Sequence, residues 1–230
     1  MPHDFSIRVQ DLLETIDDPD CDRELLFNTY RQLRLVNRVV SGWPGIYRTR
    51  IRPRLRRGET STLLDIGCGG GDVARDLCTS AQADGFDLRV LAIDQDPRAL
   101  AFAAHRPALA GLEFANLTLS ELLRQGRAFD FVITNSVLHH VPTDALPEFR
   151  TQVEHATRGL ALMNDVRRSR TAYTLFASIA PLFLRRSFSV SDGLLSVRRS
   201  YTDAELGAAL GPRWNVARAG LHRLLASWTP

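Results

Sequence analysis

The sequence predicts an α/β fold: seven strands in one mostly parallel sheet, helices on both faces, and an antiparallel hairpin closing the chain. Three observations predict it. From Thr62 onward short apolar runs of strand length alternate with segments of helical periodicity, a glycine-rich turn joins the first run to the first helix, and a tight connection at Gly220 separates the last two runs. Alternation of this kind implies parallel strands joined by crossover helices, hence a doubly wound sheet. A connection as tight as that at Gly220 implies an antiparallel pair. At 230 residues, 44% hydrophobic and 24% charged, the chain suits one soluble domain with one substantial core.

The first sixty residues read as helical. Ser6–Ile16 and Asp22–Val40 carry apolar residues at helical spacing, with Leu25, Leu26, Leu33, Val36 and Val40 on one stripe. Gly42 and Pro44 break that pattern, and an arginine-rich segment, Tyr47–Arg57, runs up to Gly58. The expected strands are Thr62–Ile66, Leu88–Ile93, Leu112–Asn116, Phe129–Thr134 and Leu160–Asn164. Between them Val73–Ala83, Pro97–His105, Leu119–Gln125 and Thr143–Thr157 read as helices. After Asp165 the rhythm is interrupted by an apolar segment, Ala172–Leu184, then by Arg185-Arg186 and a serine-rich stretch to Ser200. A helix begins at N-cap Thr202, where Glu205 completes a capping box. Trp214–Ala219 and His222–Trp228 form the final hairpin.

Charge excludes little. The formal net charge is +3 and every one of the 29 basic residues is arginine. A GC-rich genome produces that bias without selection for a polyanion, so the arginines are read as a codon signature ahead of a nucleic-acid signal. Cys21, Cys68 and Cys78 cannot all pair and form no CxxC, which suits reduced thiols. The N-terminus lacks the layout of a signal peptide, and no apolar run reaches the ~18 residues needed to span a bilayer. A cytoplasmic protein is expected.

The strongest chemical signal is Leu63-Leu64-Asp65-Ile66-Gly67-Cys68-Gly69-Gly70-Gly71-Asp72-Val73, an apolar strand running into glycines at alternate positions before a helix. Glycines let the backbone turn sharply and approach a ligand closely. Dinucleotide enzymes use such a turn too, but their third glycine would fall at position 72, where this chain has Asp72. Asp65, two residues before the first glycine, suits a ligand's ammonium group and would repel a pyrophosphate. The second signal is Val90-Leu91-Ala92-Ile93-Asp94-Gln95-Asp96. An acid ending the second strand can accept hydrogen bonds from both ribose hydroxyls of a nucleoside. Each acid alone reads as a cap or turn residue, as Asp96 before Pro97 does. Together, ending adjacent strands, Asp65 and Asp94 would grip opposite ends of one ligand.

These motifs resemble the class I methyltransferases, whose cofactor is S-adenosylmethionine, with S-adenosylhomocysteine as product. The resemblance implies a Rossmann-like sheet and a single domain: an N-terminal helical cap (1–60), a cofactor-binding core (61–167), a helical lid inserted after the fifth strand (168–200), and a terminal helix and hairpin (201–230). It places Asp65, Gly67, Cys68, Gly69 and Gly71 in the glycine-rich cofactor motif, and Asp94 with Gln95 at the ribose. Asn116-Leu117 stands where the family usually has Asp and a small apolar residue against adenine; Asn still offers an acceptor, while Leu117 departs from the pattern. Phe129 to Pro142, including Asn135, Ser136, His139 and His140, is similar to the fourth-strand motif of the quinone-biosynthesis methyltransferases. It lacks the Asn/Asp-Pro-Pro-aromatic signature of amide and DNA amine methyltransferases, and no cysteine follows a proline as cytosine-C5 enzymes require.

The resemblance puts His139 and His140 beside the methyl donor, where a histidine can act as a base or brace the loop. Asp165, after the fifth strand, can orient an acceptor hydroxyl or cap a helix. Tyr30, Trp43, Tyr173 and Phe176 are candidates to close over an apolar acceptor, with plain packing as the alternative. No metal site is expected. Three functions remain open: a small-molecule O- or C-methyltransferase for a quinone-like, phenolic or polyketide-derived acceptor; an RNA methyltransferase using the arginines at 48–57; and a non-catalytic cofactor-binding partner protein. The first is favoured, with Asp65 and Asp94 both present against the third. The partners expected are a small-molecule substrate, no nucleic acid, at most peripheral membrane contact, and a monomer or homodimer.

Overall fold

A computed structural model of the chain describes residues 4–220 and 222–230. In chain order the regular elements are α1 (Arg23–Val39), α2 (Trp43–Ile46), β1 (Thr60–Ile66), α3 (Asp72–Ala83), β2 (Asp87–Asp94), α4 (Pro97–Ala104), β3 (Leu112–Asn116), α5 (Leu119–Arg124), β4 (Phe129–Asn135), α6 (Leu146–Ala156), β5 (Thr157–Val166), α7 (Arg170–Phe183), α8 (Ser189–Arg199), α9 (Asp203–Leu210), β6 (Asn215–Arg218) and β7 (Arg223–Trp228). The seven strands form one sheet in the order β3-β2-β1-β4-β5-β7-β6. Strands β1 to β5 are parallel, and β7 alone runs against its neighbours β5 and β6.

Parallel strands covered on both faces read as continuous apolar runs, and the sheet accordingly separates two cores. One face of β1 and β2, through Leu64, Ile66, Leu91 and Ile93, packs with α5, α6 and α9. The other, through Leu63, Val90 and Ala92 with Ile133 of β4, packs with α3 and the Trp43–Leu55 segment. The capping boxes at Thr118–Glu121 and Thr202–Glu205 start α5 and α9, and Asp22 and Ser169 cap α1 and α7. Among the described residues no helix is long and apolar enough to cross a membrane.

The structure departs from the sequence reading at two places. Ser6–Ile16 is not a helix: it is an irregular strap ending in a single 3-10 turn, Thr15–Asp17. Tertiary bonds supply what helical bonds would have. The Val9 N–H donates to the Arg198 carbonyl, and the Thr15 and Ile16 N–H groups donate to the two oxygens of Asp192. The serine-rich stretch, in turn, contains α8. Its buried face is mostly polar, with Asp192, Ser196 and Arg199 bonded to the strap and its 3-10 turn and Val197 the one apolar member, so it shows no apolar stripe to read. The arginine-rich segment winds as a π-turn (Tyr47–Ile51) and a 3-10 turn (Arg52–Arg54), burying Tyr47, Ile51 and Leu55 and leaving Arg48, Arg50, Arg52, Arg54, Arg56 and Arg57 outside.

Candidate functional site

The carboxyl ends of β1, β2 and β4 meet where the sheet order reverses, the place where open parallel sheets bind ligands. The turn after β1 is stapled to the end of β2. Gly67 and Cys68 donate N–H bonds to the Ile93 carbonyl (2.9 and 3.0 Å), and the Gly69 N–H donates to Asp94 Oδ2 (2.8 Å). Gly67 lies at φ 68°, and a Cβ there would come within 2.7 Å of Val137, so both backbone form and space demand glycine. Asp94 Oδ1 accepts the Asp96 N–H (2.9 Å), so both oxygens are oriented by backbone donors and keep lone pairs for further donors. Burial pushes its carboxyl pKa up.

Asp65 is the most unusual group in the cradle. It is 1% exposed, and its Oδ2 has no hydrogen-bond partner among the described residues. Burial first, and then the charges of Asp72 and Asp94, drive its pKa well above the ordinary range. A buried carboxylate oxygen without a donor costs stability unless a ligand supplies one. Cys68 beside it is a buried thiol whose pKa is pushed up by burial and by Asp65 and Asp94, hence unreactive. Gln95 follows on the exposed rim. At the end of β3, Asn116 Nδ2 donates to the Asp94 carbonyl (2.8 Å), which leaves Oδ1 as an acceptor, while Leu117 packs on the core. Asp72 opens α3, buried, and accepts a bond from Asn37 Nδ2 (3.1 Å).

Asn135 and Ser136, expected at the cofactor, are held at the end of β4 by bonds within the fold. Asn135 Oδ1 accepts from Trp43 Nε1 (2.9 Å) and Arg223 Nη2 (2.8 Å), and its Nδ2 donates to Asn37 Oδ1 (3.1 Å). Arg223 Nη1 donates to Ser136 Oγ, and its Nε to Asn164 Oδ1 (both 3.0 Å). The physical reason is Arg223 itself: a guanidinium buried in β7 needs acceptors, and burial lowers its pKa to about 10 despite the pull of Asp165. The sequence reading missed Arg223, although one arginine inside an otherwise apolar terminal strand was a visible signal.

Beyond β4 lies a buried charged cluster. Asp165 Oδ1 is 2.7 Å from His139 Nδ1, and Asp165 Oδ2 accepts the His139 N–H (3.2 Å). Across the ring, His139 Nε2 is 3.4 Å from Glu14 Oε1 on the strap. Burial alone would lower the His139 pKa, but the two carboxylates prevail and push it up to about 9, so at neutral pH His139 is an imidazolium. Burial would raise Asp165 and Glu14, and the imidazolium outweighs it and lowers both. The His140 ring lies tilted against that of His139 (4.3 Å between centroids, 38° between planes) and its Nδ1 is 3.1 Å from Asp17. Glu14, His139 and His140 offer three ligand atoms within 4.8 Å of one another. A divalent ion is not needed to balance them, because Arg199 already lies 4.0 Å from Glu14 and 3.5 Å from Asp17. Nothing in the sequence pointed to Glu14.

The strap is anchored by Arg8, which donates to the carbonyls of His139 (3.0 Å) and Val141 (2.9 Å) and to the Tyr201 hydroxyl (2.6 Å), with its guanidinium over the Tyr201 ring. Tyr30 lies over Gly69 and Gly70 and packs on Phe102. Of the aromatic candidates, then, Tyr30 and Trp43 reach the strand ends. Tyr173 packs on Phe5 of the strap, and Phe176 packs on Gly193 of α8. The structure brings Asp65, Gly67, Gly69, Gly71, Asp94 and Asn116 to one cradle, and His139, His140 and Asp165 to an adjoining one.

Residues 63–158 match a family described as "Methyltransferase domain". Over that core the chain is thus similar to methyltransferase domains. It is 31% identical over 119 residues to the mitochondrial ubiquinone biosynthesis O-methyltransferase of Arabidopsis thaliana, covering 50% of this chain and 35% of that protein. It is 37% identical over 86 residues to the ubiquinone biosynthesis O-methyltransferase of Caulobacter vibrioides, covering 36% of this chain and 32% of that one. The matches thus span about a third of each relative's length. Among solved structures, human N-acetylserotonin methyltransferase in complex with S-adenosylmethionine shares the fold, with a TM-score of 0.64 and 13% identity over 91% of this chain and 57% of that one.

Proposed function

We propose that this methyltransferase moves a methyl group from S-adenosylmethionine to an oxygen or carbon of a lipophilic small molecule that is quinone-like, phenolic or polyketide-derived. The observation that carries the cofactor assignment is Asp65 Oδ2, a buried carboxylate oxygen without a donor, at the end of β1 just before the glycine-rich turn. The cofactor's ammonium group supplies the missing donors and charge there. Gly67, Gly69 and Gly71 let the backbone approach it, Asp94 takes the ribose hydroxyls, and Asn116 Oδ1 accepts from the adenine amino group beside Leu117. Bound in this way, S-adenosylmethionine supplies an electrophilic methyl group on a sulfonium centre.

The acceptor side is assigned to His139 and His140. Asp165 fixes the His139 ring through Nδ1 and turns Nε2 toward Glu14, the position from which an acceptor hydroxyl would hand over its proton. With Glu14 in place His139 is charged and cannot accept one. Entry of an acceptor displaces Glu14, removes one of the two carboxylates that hold the proton on His139, and lowers its pKa toward neutrality. The strap, α1 and α7–α8 act as the cover that aligns the acceptor and excludes water. The relatives' names, two of them for O-methylation in ubiquinone biosynthesis, support a small lipophilic acceptor.

The test is acceptor-dependent formation of S-adenosylhomocysteine from labelled S-adenosylmethionine across phenols, hydroquinones and enolic polyketide-like compounds, with total RNA as a competitor class. Turnover on a lipophilic phenol or hydroquinone is expected. Methylation of RNA with none of the small molecules would overturn the acceptor assignment.

A further inference from the structure

Among the described residues, all ten of the large apolar side chains that are exposed lie in the N-terminal forty residues or on α7. On α7, Leu175, Ile179 and Leu182 stand at i, i+4 and i+7, 44%, 46% and 63% exposed, with Phe183 beside them at 72%. On α1, Leu35 (59%) and Val39 (72%) continue the face that begins with Asn28 and Gln32. The two faces are joined. Asn28 Nδ2 donates to the Arg185 and Arg186 carbonyls, and Gln32 Nε2 to that of Arg185, so the end of α7 is pinned beside the outer side of α1. Arg186 sits at φ 53°, a left-handed form that arginine rarely adopts, and these bonds hold it there.

The charge on this surface has one sign. No acidic residue occurs between Glu24 and Glu59 or between Asp165 and Asp192. Arg185 and Arg186, which directly follow the exposed end of α7, form no ion pair among the described residues, whereas Arg167 and Arg168, deeper in the fold, pair with Asp203 and Glu205. A patch of large aliphatic and aromatic side chains bordered by unpaired cations fits an interface that is apolar in depth and anionic at its surface. A two-fold contact between copies through this face would bring Arg185 and Arg186 against their own like charges.

We infer that the outer face of α1 and α7 docks reversibly on an anionic lipid bilayer, with Leu182 and Phe183 entering the acyl boundary and the arginines at the headgroups. This inference rests on the outer surface alone, independently of the methyl-transfer reading.

Flotation of the full chain with phosphatidylcholine vesicles, with and without phosphatidylglycerol, tests it. Binding to the anionic vesicles is expected, with loss at high salt. The Leu182→Asp/Phe183→Asp double variant should partition at least about tenfold more weakly. The Arg185→Glu/Arg186→Glu double variant should lose roughly thirtyfold on anionic vesicles. S-adenosylhomocysteine affinity, measured alongside, should stay unchanged in both, which separates loss of docking from loss of fold and from failure of the cofactor assignment. Absence of vesicle binding by the parent chain would overturn the inference. So would a concentration-dependent dimer in sedimentation that Leu182→Asp/Phe183→Asp dissolves, since the face would then belong to a second copy.

Discussion

Replacing Asp65 by Asn isolates what the cradle is built for. The side chain keeps its size but loses its charge. In the ligand-free protein Asp65 is buried, one oxygen lacks a donor, and Asp72 and Asp94 repel its ionised form. A carboxyl group whose pKa is raised on folding costs stability above its unfolded pKa of ~3.9, and the cost grows until the pH passes the folded value. Asp65→Asn removes it and should stabilise the free protein at neutral pH by about 1–2 kcal/mol, the scale for an unsatisfied buried polar group. For a chain of this size that is roughly 2–8 °C in the melting temperature. The same change removes the charged partner of the cofactor's ammonium and should weaken S-adenosylhomocysteine binding by about 1.5–3 kcal/mol. The parent should also bind less tightly as pH falls, starting above the usual carboxylate range because the free Asp65 is already raised, and the variant should lose that dependence. Scanning calorimetry on the free proteins and titration calorimetry across pH read both effects. A variant less stable than the parent that still binds S-adenosylhomocysteine normally would refute the reasoning, because Asp65 would then be a structural residue.

Asp94→Ala should weaken S-adenosylhomocysteine binding by roughly 1.5–3 kcal/mol with the fold retained; a collapse in stability with normal binding by the folded remainder would make Asp94 a loop brace. Glu14→Gln removes one of the two carboxylates that raise His139, so the rising limb of kcat/KM against pH should move about one unit lower. A limb that does not move would remove His139 as the titrating base. The imidazolium also stabilises the fold: because its pKa is raised to about 9, that contribution is complete below the unfolded histidine value of ~6.5 and fades as pH rises through about 9. Chemical denaturation of the parent between those limits should show the decline, and a flat profile would contradict the pairing. Arg223→Met strands the acceptors of Asn135, Ser136 and Asn164 and leaves Asp165 without a nearby guanidinium, so denaturation should show a loss of about 3–5 kcal/mol; a loss under about 0.5 kcal/mol would mean the network is incidental.

The sheet was legible because its central strands β1, β2, β4 and β5 are buried on both faces and each run ends at a glycine, acid or asparagine. Leu112–Asn116 was placed residue for residue, and β5 was underestimated only where it extends from Thr157 to Val166. The place of the candidate cradle was legible for a related reason: Asp65, the glycines and Asp94 are contiguous with those strands, so local sequence fixes their position. The strap and α8 were not, because each satisfies the other through polar bonds such as Asp192 to Thr15 and Ser196 to Glu14, which leave no hydrophobic period. The environment of His139 was half visible. The histidine and Asp165 lie at strand ends, while Glu14 reaches the ring from 125 positions earlier along the chain, a distance no local pattern encodes.

The central claim is that Asp65 and Asp94 grip the two ends of S-adenosylmethionine and not a dinucleotide. Titration calorimetry of the full chain with S-adenosylhomocysteine and, separately, with NAD tests it most directly. The account predicts saturable binding of S-adenosylhomocysteine and no heat with NAD beyond dilution. Saturable NAD binding with no response to S-adenosylhomocysteine would contradict it.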